Sequence, residues 1–341
     1  METTHRVHVG DARSLPLADD SVDLVVTSPP YPMIEMWDDA FAALDPEIGD
    51  ALDANDGERA HDLMLSVLDD AWREVGRVLR PGGIAVVNVG DATRNLDRFR
   101  VYDNHARVTE TFAELGFDPL PGVLWRKPTN SAAKFMGSGM VPPNAYVTLE
   151  HEHVLVFRNG SRREFDAGAD RRYEAAYFWE ERNRWFSDVW DGLGGERQHL
   201  ADPDLRERSA AFPLELPYRL VNMYSVYGDT VLDPFWGTGT TSLAACVAGR
   251  SSVGVERDDG FAAAFADRIR DAPALSRDLA SERLAAHREF VADSDDDFDY
   301  DAEHYDTPVR TKQERRLRFY EVESVTETEE GWRAEHAPFE D

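Results

Sequence analysis

Cysteine, lysine and long apolar runs are scarce in this chain of 341 residues. Its single cysteine, Cys246, excludes an internal disulfide and a cysteine-rich zinc site. The polar start from Met1 to Gly10 predicts no signal peptide, and the lack of any apolar run of about 18 residues predicts no membrane span. We therefore expect a soluble protein of the cytoplasm.

Positive charge is also scarce. The chain has 66 acidic residues against 37 basic ones, which gives a net charge of −29 at pH 7, and only three of the cations are lysines. Self-repulsion of this size weakens a folded state in dilute buffer and is screened by salt. The composition therefore predicts a halophilic source with a high-salt cytoplasm, and it excludes a wholly basic surface. The alternative is an acidic face that binds a partner.

The pattern of apolar residues is typical of an α/β protein. Apolar residues three and four apart from Leu63 to Leu79 predict a helix that stops at Pro81. Its alternation with Val-rich runs predicts a mostly parallel sheet with helices on both faces. The predicted strands are Val22–Val26, Ile84–Val89, Val154–Phe157, Val231–Leu232 and Val253–Val255, and further helices are predicted near 105–115, 213–225, 240–248 and 259–270.

Acidic segments fall outside this alternation. The stretch from Pro32 to Asp70 holds 12 acids and one base, and we predict a solvated loop that leads into the first helix. Asp293–Asp306 reads as a low-complexity acidic linker. Beyond it, Arg315–Glu335 alternates around a Glu-Glu-Gly turn and predicts a small peripheral hairpin.

A strand that runs into Ser-Pro-Pro-Tyr forms the first candidate site. The two prolines hold the chain rigidly extended, and because Pro30 has no N–H the segment presents mainly acceptors. The Ser28 hydroxyl and the Pro29 carbonyl can accept the two hydrogens of a planar amino group, while the Tyr31 ring offers a stacking surface. An exocyclic amine of a nucleobase fits this arrangement.

The second candidate site is a strand followed by a glycine loop and a helix start, from Thr230 to Thr241. Its glycines let the backbone approach a ligand closely. The loop lacks the lysine of a phosphate-binding loop and carries Asp233, which would repel phosphate, so a cationic nucleoside suits it better. Glu256 ends the next strand about 20 residues on, where an acid can accept both ribose hydroxyls.

Both motifs resemble those of the β-class amino-methyltransferases of DNA, and the resemblance covers about residues 5–270. Gly10-Asp11, Leu79-Arg80-Pro81-Gly82-Gly83 and Phe212-Pro213 extend it. It implies the Rossmann-like fold of the S-adenosylmethionine-dependent methyltransferases, in the permuted motif order of that class. The implied catalytic residues are Ser28, Pro29, Pro30 and Tyr31. The implied S-adenosylmethionine-binding residues are Asp11, Phe212, Pro213, Asp233, Pro234, Phe235, Gly237, Gly239, Thr240, Thr241 and Glu256.

The resemblance also divides the chain. Residues 1–118 would form the catalytic half of the methyltransferase domain, and 212–270 the cofactor-binding half. Residues 119–211 would complete the sheet and hold an inserted target-recognition region at about 158–200. Residues 271–341, the acidic linker and C-terminal extension, are not covered by the resemblance.

Cations and aromatic residues gather in the region implied to recognise the target, against the overall charge of the chain. We expect them to bind double-stranded DNA, because arginine makes bidentate base contacts that depend less on low salt than phosphate contacts do. The alternative is that the aromatic side chains belong to the core and the arginines pair with nearby acids. The DNA-binding candidates are Arg126, Lys127, Lys134, Arg158, Arg162, Arg163, Arg171, Arg172, Arg182 and Arg184.

The implied reaction is direct methyl transfer to the amine of a base flipped out of the duplex. Methylation of a ring carbon needs a nucleophilic cysteine after proline, whereas Cys246 lies in an apolar helix. Serine in the first motif position is more usual for the cytosine-N4 enzymes of the family and aspartate for the adenine-N6 enzymes, so we predict cytosine N4. Resemblance to halophilic archaeal enzymes suggests a short palindrome such as CTAG. Adenine N6, an RNA substrate, and a cofactor-sensing DNA-binding regulator without turnover remain alternatives.

His151 and His153 alternate on one face of a strand, but no third ligand lies at a metal-site spacing. We therefore predict a structural role for them and no metal. The sequence leaves open whether the chain forms a homodimer and whether it has a cognate restriction nuclease.

Overall fold

The computed structural model describes residues 1–127, 136–193, 212–295 and 297–341. Lys134 lies outside the described residues. The strands are β1 (Glu2–Val9), β2 (Val22–Thr27), β3 (Leu79–Val89), β4 (Ala92–Asn95), β5 (Phe99–Tyr102), β6 (Phe117–Arg126), β7 (Met136–Gly137), β8 (Ala145–Tyr146), β9 (His151–Asn159), β10 (Val189–Trp190), β11 (Thr230–Asp233), β12 (Ser251–Glu256), β13 (Tyr300–Asp301), β14 (Pro308–Val309), β15 (Tyr320–Thr328) and β16 (Gly331–Pro338). The α-helices are α1 (Asp38–Ala42), α2 (Pro46–Asp53), α3 (Gly57–Val78), α4 (Asn104–Glu114), α5 (Asp170–Glu174), α6 (Trp179–Trp185), α7 (Glu215–Tyr224), α8 (Thr240–Val247), α9 (Gly260–Ile269) and α10 (Ala272–Asp293), and a 3-10 turn covers Glu35–Trp37.

Ten strands form one sheet in the order β10-β6-β9-β3-β2-β11-β12-β1-β16-β15. The five strands from β3 to β1 are mutually parallel, β9 runs against them, and β6 and β10 return to their direction. Each predicted strand lies within an observed one, and the four further helices appear as α4, α7, α8 and α9. The mostly parallel α/β fold is therefore confirmed.

Helices cover both faces of this sheet. On one face, α3 and α4 bury Trp72 and Phe112 against β2 and β3. On the other face, α7, α8 and α9 bury side chains such as Leu243 and Phe265. The apolar stripe from Leu63 produces α3, although Leu79 already begins β3. Because both faces are covered, the exposed edge where the parallel strands end is the natural place for a ligand.

The acidic segment from Pro32 to Asp70 was wrongly predicted to be a loop. It folds into the 3-10 turn, α1, α2 and the first half of α3. Phe41 and Ile48 are buried against the core that α3 covers. Two of its acids are helix caps, because the Asp45 and Asp56 side chains accept hydrogen bonds from the first turns of α2 and α3. The acids thus lie on the outer side of short amphipathic helices.

The C-terminal extension is not peripheral, which corrects the second expectation about an acidic segment. The predicted hairpin forms as β15 and β16 around Gly331, but β16 pairs with β1 and so extends the main sheet. Thr3 of β1 hydrogen-bonds the buried His336 of β16 at 2.9 Å. The extension begins with the helix α10, which ends at Asp293 where the expected linker starts, and α10 packs Ala280 and Leu284 into a core shared with the hairpin region.

The middle of the expected recognition region packs against this extension. Phe178 is fully buried and stacks on His287 of α10 with ring centroids 3.7 Å apart. The buried Glu181 accepts hydrogen bonds from Arg283 of α10 at 2.5 and 2.8 Å. Among the described residues, no helix combines the length and the apolar character needed to cross a membrane.

Candidate active site

A cavity of about 1000 Å³ opens where the central parallel strands end. Both sequence motifs line it: the Ser-Pro-Pro-Tyr segment follows β2, and the glycine loop follows the adjacent β11. Its volume is at the upper end of the range of about 300–1,000 Å³ that is usual for small-molecule sites. The cavity therefore has room for a nucleoside and a second planar group.

Asp233, at the end of β11, joins the two motifs. Its carboxylate accepts hydrogen bonds from the Thr27 hydroxyl at 2.6 Å and from the Phe235 amide at 3.1 Å. Burial raises the pKa of Asp233 to about 6, against the opposing effect of these hydrogen bonds. In this structure Asp233 braces the loop next to the end of β2.

Glu256 holds the glycine loop from the adjacent strand β12. One carboxylate oxygen accepts a hydrogen bond from the Gly237 amide at 2.8 Å, and the other accepts from the amides of Arg257 and Asp258. Oε1 already accepts two hydrogen bonds, whereas Oε2 accepts one and keeps a further lone pair, so Glu256 can also accept from a ribose hydroxyl.

Asp11 lines the same cavity beside Glu256. The Gly10 amide donates to the Glu256 carbonyl at 2.8 Å, which fixes the start of this turn. Burial opposes the charged form of Asp11, but hydrogen bonds from the side chain and backbone of Arg13 lower its pKa. Asp11 therefore remains a charged acceptor at the cavity wall.

Tyr31 lies in a buried hydrogen-bond network rather than standing free. Its hydroxyl is 3.0 Å from Ser28 Oγ, donates to Glu152 Oε2 at 2.9 Å and accepts from Asn88 Nδ2 at 2.9 Å. Burial and the nearby Glu152 carboxylate raise the pKa of Tyr31 well above its usual value. The ring lies against Gly90, where a Cβ atom would come within 3.0 Å of it. The ring is thus held in place on several sides.

The cavity brings together most of the residues implied by the family resemblance. Thirteen of these fifteen residues line it. The exceptions are Pro213 and Gly239, and Gly239 instead starts α8 with a φ of 76°, where a Cβ would clash with Phe265. The lining residues are Ser28, Pro29, Pro30, Tyr31, Asp11, Phe212, Asp233, Pro234, Phe235, Gly237, Thr240, Thr241 and Glu256.

The polar and apolar groups of the cavity fit the cofactor that the resemblance implies. Glu256 and Asp11 offer acceptors for a ribose and an adenine amine, and Phe261 and Val255 add apolar wall. Sequence reasoning missed this wall, as it missed Glu152 and the contribution of Trp37 and Phe41 from the turn and helix that had been expected to be a loop. Trp236 is buried and packs on Phe265.

Four of the ten proposed DNA-binding cations lie at the opposite edge of the sheet, where the parallel strands begin. Arg163 donates to Asp229 at 2.6 and 3.0 Å and pairs with Asp23 at 2.9 Å. Asp23 lies in β2 five residues before Ser28, so at about 3.3 Å per residue this cluster is about 16 Å from the site. The same edge holds Arg158, paired with Asp118, Arg171, close to Asp229, and the neighbouring Arg162. These ion pairs agree with the alternative that the arginines pair with acids, and the DNA-binding role of the four arginines stays a prediction.

The other candidate cations divide into three groups. Arg126 and Lys127 end β6 at the same edge as the cavity, and Lys127 lines it. Arg172 lies over the Phe165 ring, next to Arg163, in keeping with the alternative of local packing. Arg182 and Arg184 are exposed on α6 and remain candidates.

Several aromatic side chains of the expected recognition region belong to the core. Phe178, Trp185 and Trp190 are each at most 2% exposed, and Trp190 Nε1 donates to the Trp185 carbonyl at 3.0 Å. This matches the alternative reading for these side chains. Trp179, at 36% exposure, is more accessible.

The side chains of Asp91, His105 and His153 lie close enough together to act as metal ligands. The sequence spacing of the histidines did not reveal this group. The rings of His105 and His153 stack with centroids 3.9 Å apart and planes 8° apart, so their lone pairs do not converge on one point. Asp91 also caps α4, because it accepts from the His105 amide at 3.1 Å. A structural role accounts for these contacts, and the absence of a metal stays a prediction.

Cys246 lies in α8, is fully buried, and its pKa is raised by burial to about 12. A thiol in this environment is a poor nucleophile. The site around Ser28 therefore offers oxygen acceptors rather than a thiolate.

Comparison with known proteins agrees with this site. Residues 22–267 match the model of the N6/N4 DNA methylase family. The chain is 48% identical over 325 residues to Type II methyltransferase M.MthZI of Methanothermobacter thermautotrophicus, covering 94% of this chain and 91% of that protein. It is 46% identical over 280 residues to Type II methyltransferase M.MjaI of Methanocaldococcus jannaschii, covering 78% and 91%.

Solved structures share the fold. The DNA modification methylase TTHA0409 of Thermus thermophilus, in complex with S-adenosyl-L-methionine, superposes with a TM-score of 0.61 at 34% identity, covering 78% of this chain and 93% of that one. The cytosine-N4-specific PvuII DNA methyltransferase superposes with a TM-score of 0.54 at 20% identity, covering 78% and 87%. The second likeness concerns the fold alone.

Proposed function

This chain belongs to the N6/N4 DNA methylase family and uses S-adenosylmethionine, and we propose that it methylates the N4 amine of cytosine in a short sequence of double-stranded DNA. The observation that carries the proposal is the shared cavity. The acceptor pair Ser28 and Pro29 lies in the same cleft as the glycine loop and Glu256.

Positioning is the main task of the protein in this reaction. The cofactor supplies an activated methyl group, so the chain must hold the amine in line with it in a water-poor cavity. Hydrogen bonds from the amine to Ser28 Oγ and the Pro29 carbonyl would orient its lone pair and spread the positive charge that develops. The Tyr31 ring would support the flipped base by stacking, which is worth about 1–3 kcal/mol.

The choice of cytosine N4 over adenine N6 rests on Ser28 in the first motif position. A short palindrome such as CTAG is proposed as the target on the family resemblance alone. The names of the relatives as Type II methyltransferases support a role in restriction and modification. A homodimer, a partner nuclease and a high-salt cytoplasm are compatible with the proposal and are not needed for it.

Nucleoside analysis tests the proposal. Unmodified duplex DNA, with and without CTAG sites, is incubated with the protein and methyl-labelled S-adenosylmethionine across a series of KCl concentrations, digested and examined by mass spectrometry. We expect labelled N4-methylcytosine, enriched in the CTAG-containing DNA. Labelled N6-methyladenine would show that adenine rather than cytosine is the target, and label in a parallel reaction with RNA but not with DNA would show that RNA is the substrate. Cofactor binding without any labelled base would indicate the regulator.

A further inference from the structure

Glu152 is a buried acid that no motif identified. It lies in β9, between the two histidines, and is 8% exposed. Its carboxylate accepts three hydrogen bonds: from Tyr31 at 2.9 Å, from Asn88 Nδ2 at 2.6 Å and from Lys127 Nζ at 2.7 Å. Three donors face this buried carboxylate, and the Lys127 ammonium offsets the cost of burying its charge.

The orientation of Asn88 follows from the same contacts. Its nitrogen is 2.6 Å from Glu152 Oε2 and 2.9 Å from the Tyr31 oxygen. Turning the amide over would place its oxygen against the carboxylate at that distance, so the amino group must face Glu152 and Tyr31. Asn88 is therefore a donor to both.

These contacts fix the direction of the hydrogen bond between Tyr31 and Ser28. A phenol has one hydrogen, and Tyr31 donates it to Glu152. Tyr31 can then only accept from its two other neighbours, Asn88 and Ser28. The Ser28 hydrogen must point toward Tyr31, which leaves the lone pairs of Ser28 Oγ available to the cavity.

We propose that Glu152 is a positioning residue that sets this direction, so that Ser28 meets the target amine as a hydrogen-bond acceptor. The proposal rests on the proposed function, because an amine substrate is what needs an acceptor at Ser28. Glu152 acts through Tyr31 and need not touch the base.

The inference predicts a particular effect of Glu152→Gln. Glutamine must turn its amino group either toward Tyr31 and Asn88, which removes the acceptor for the Tyr31 hydrogen, or toward Lys127, which leaves Tyr31 a neutral acceptor that is weaker than the carboxylate. We expect kcat for methyl transfer to fall by about 10-fold to 100-fold, which corresponds to the loss of one hydrogen bond to a charged partner. The dissociation constant for S-adenosylmethionine should stay within about twofold, because Glu256 and Asp11 are unchanged.

A double-mutant cycle with Tyr31→Phe separates positioning from general structural support. Phenylalanine keeps the ring and removes the hydroxyl that links Glu152 to Ser28. If Glu152 acts through that hydroxyl, the double variant loses about as much kcat as Tyr31→Phe alone. Glu152→Asp, which keeps the carboxylate, should recover part of the activity. Glu150→Gln is the matched control, since it makes the same change at an exposed carboxylate two residues away and should match the wild type.

The experiment measures single-turnover transfer to unmodified duplex DNA, together with cofactor binding and thermal unfolding for every variant. A wild type that transfers no methyl group overturns the proposed function itself. If the wild type transfers the methyl group and Glu152→Gln is equally fast, only the role of Glu152 is overturned. The same holds if the effects of the two substitutions on kcat multiply in the double variant. If Glu152→Gln does not fold, the cycle is run with Glu152→Asp, where multiplying effects again overturn the inference.

Discussion

The two edges of the central sheet carry similar residues and have opposite organisation. At the edge where the parallel strands end, Glu152, Lys127 and Tyr31 face a large cavity. At the edge where they begin, Arg163 is pinned between Asp23 and Asp229, and Asp229 is 2% exposed. Charged groups surround an open space at one edge and neutralise one another at the other.

This difference explains why a count of cations along the sequence does not tell which of them lie beside the cavity. The sequence shows a cluster of arginines, whereas strand direction decides which edge each one reaches. Because β9 runs against its neighbours, its first residues lie at the cavity and Arg158, near its end, lies at the far edge. We therefore expect substitutions at the cavity edge to change turnover and those at the other edge to change stability.

Ser28→Ala should give the largest effect on turnover. It removes one of the two acceptors for the amine, and by analogy with the loss of one transition-state hydrogen bond kcat should fall by about 10²–10³-fold. Thermal unfolding should change little, because the hydrogen bond to Tyr31 is a single contact between neutral groups. Transfer kinetics and calorimetry on the same preparation test this. A variant with a lowered unfolding temperature and a normal kcat would contradict the contrast between the two edges.

Asp229→Asn should produce the opposite result. It removes the buried carboxylate that accepts from Arg163 and from the Val226 amide. Loss of one partner of a buried pair costs about 3 kcal/mol of unfolding free energy. Urea unfolding measures this loss, and methyl transfer assayed well below the unfolding midpoint should equal that of the wild type. Slow transfer by a folded variant would show that the far edge does take part.

Salt should separate the surface charge from the buried pair. Raising KCl from dilute buffer to molar concentration screens the net charge of −29, so the unfolding midpoint of the wild type should rise. The difference between the wild type and Asp229→Asn should persist, because buried pairs are screened much less. A midpoint that falls with KCl would contradict the predicted adaptation to high salt.

Arg126→Ala should weaken DNA binding moderately, since Arg126 is exposed at the cavity edge and only loosely paired with Glu150 at 3.6 Å. Loss of one phosphate contact lowers the slope of log binding constant against log salt by about 0.9. Arg158→Ala, at the far edge, is the matched control and should leave the slope unchanged. Binding titrations at several salt concentrations measure both, and equal slopes for the two variants would remove the distinction.

Asp233 should give an effect on stability that is seen as a function of pH. Burial raises its pKa to about 6, above its value in the unfolded chain, so the native state holds the proton more tightly. The stability gained from this proton is present at about pH 4 and is lost as the pH rises through 6. Urea unfolding of the wild type relative to Asp233→Asn should show this decline. The exposed Asp267→Asn should not alter the profile, and a flat difference for Asp233 would contradict the shift.

Local sequence was sufficient for the parts of the site that lie on one continuous segment. The prolines after β2 and the glycine loop after β11 each shape their own backbone, so their residues could be named without the fold. Glu152 could not be named in this way, because its partners Tyr31 and Asn88 come from distant strands. An acid within a strand whose neighbours Val154 and Val156 are buried on the same face was the available signal.

The acidic extension shows a second limit of local reading. Its composition is typical of a linker, yet Leu317, Phe319 and Val322 are buried against α10 and the main sheet. A few apolar side chains spaced along an acidic stretch are enough to dock it, provided that a sheet edge is free. Whether β1 has an unpaired side that can accept another strand depends on the order of all the strands, which this segment does not reveal.

A crystal structure with a cognate duplex and S-adenosylhomocysteine would test the central claim most directly. The account predicts an extruded cytosine in the cavity, with its N4 atom within about 3 Å of Ser28 Oγ, its ring against Tyr31 and the sulfur of the bound nucleoside on the other side. A target base held outside this cavity, or a duplex bound along the Arg163 edge, would contradict it.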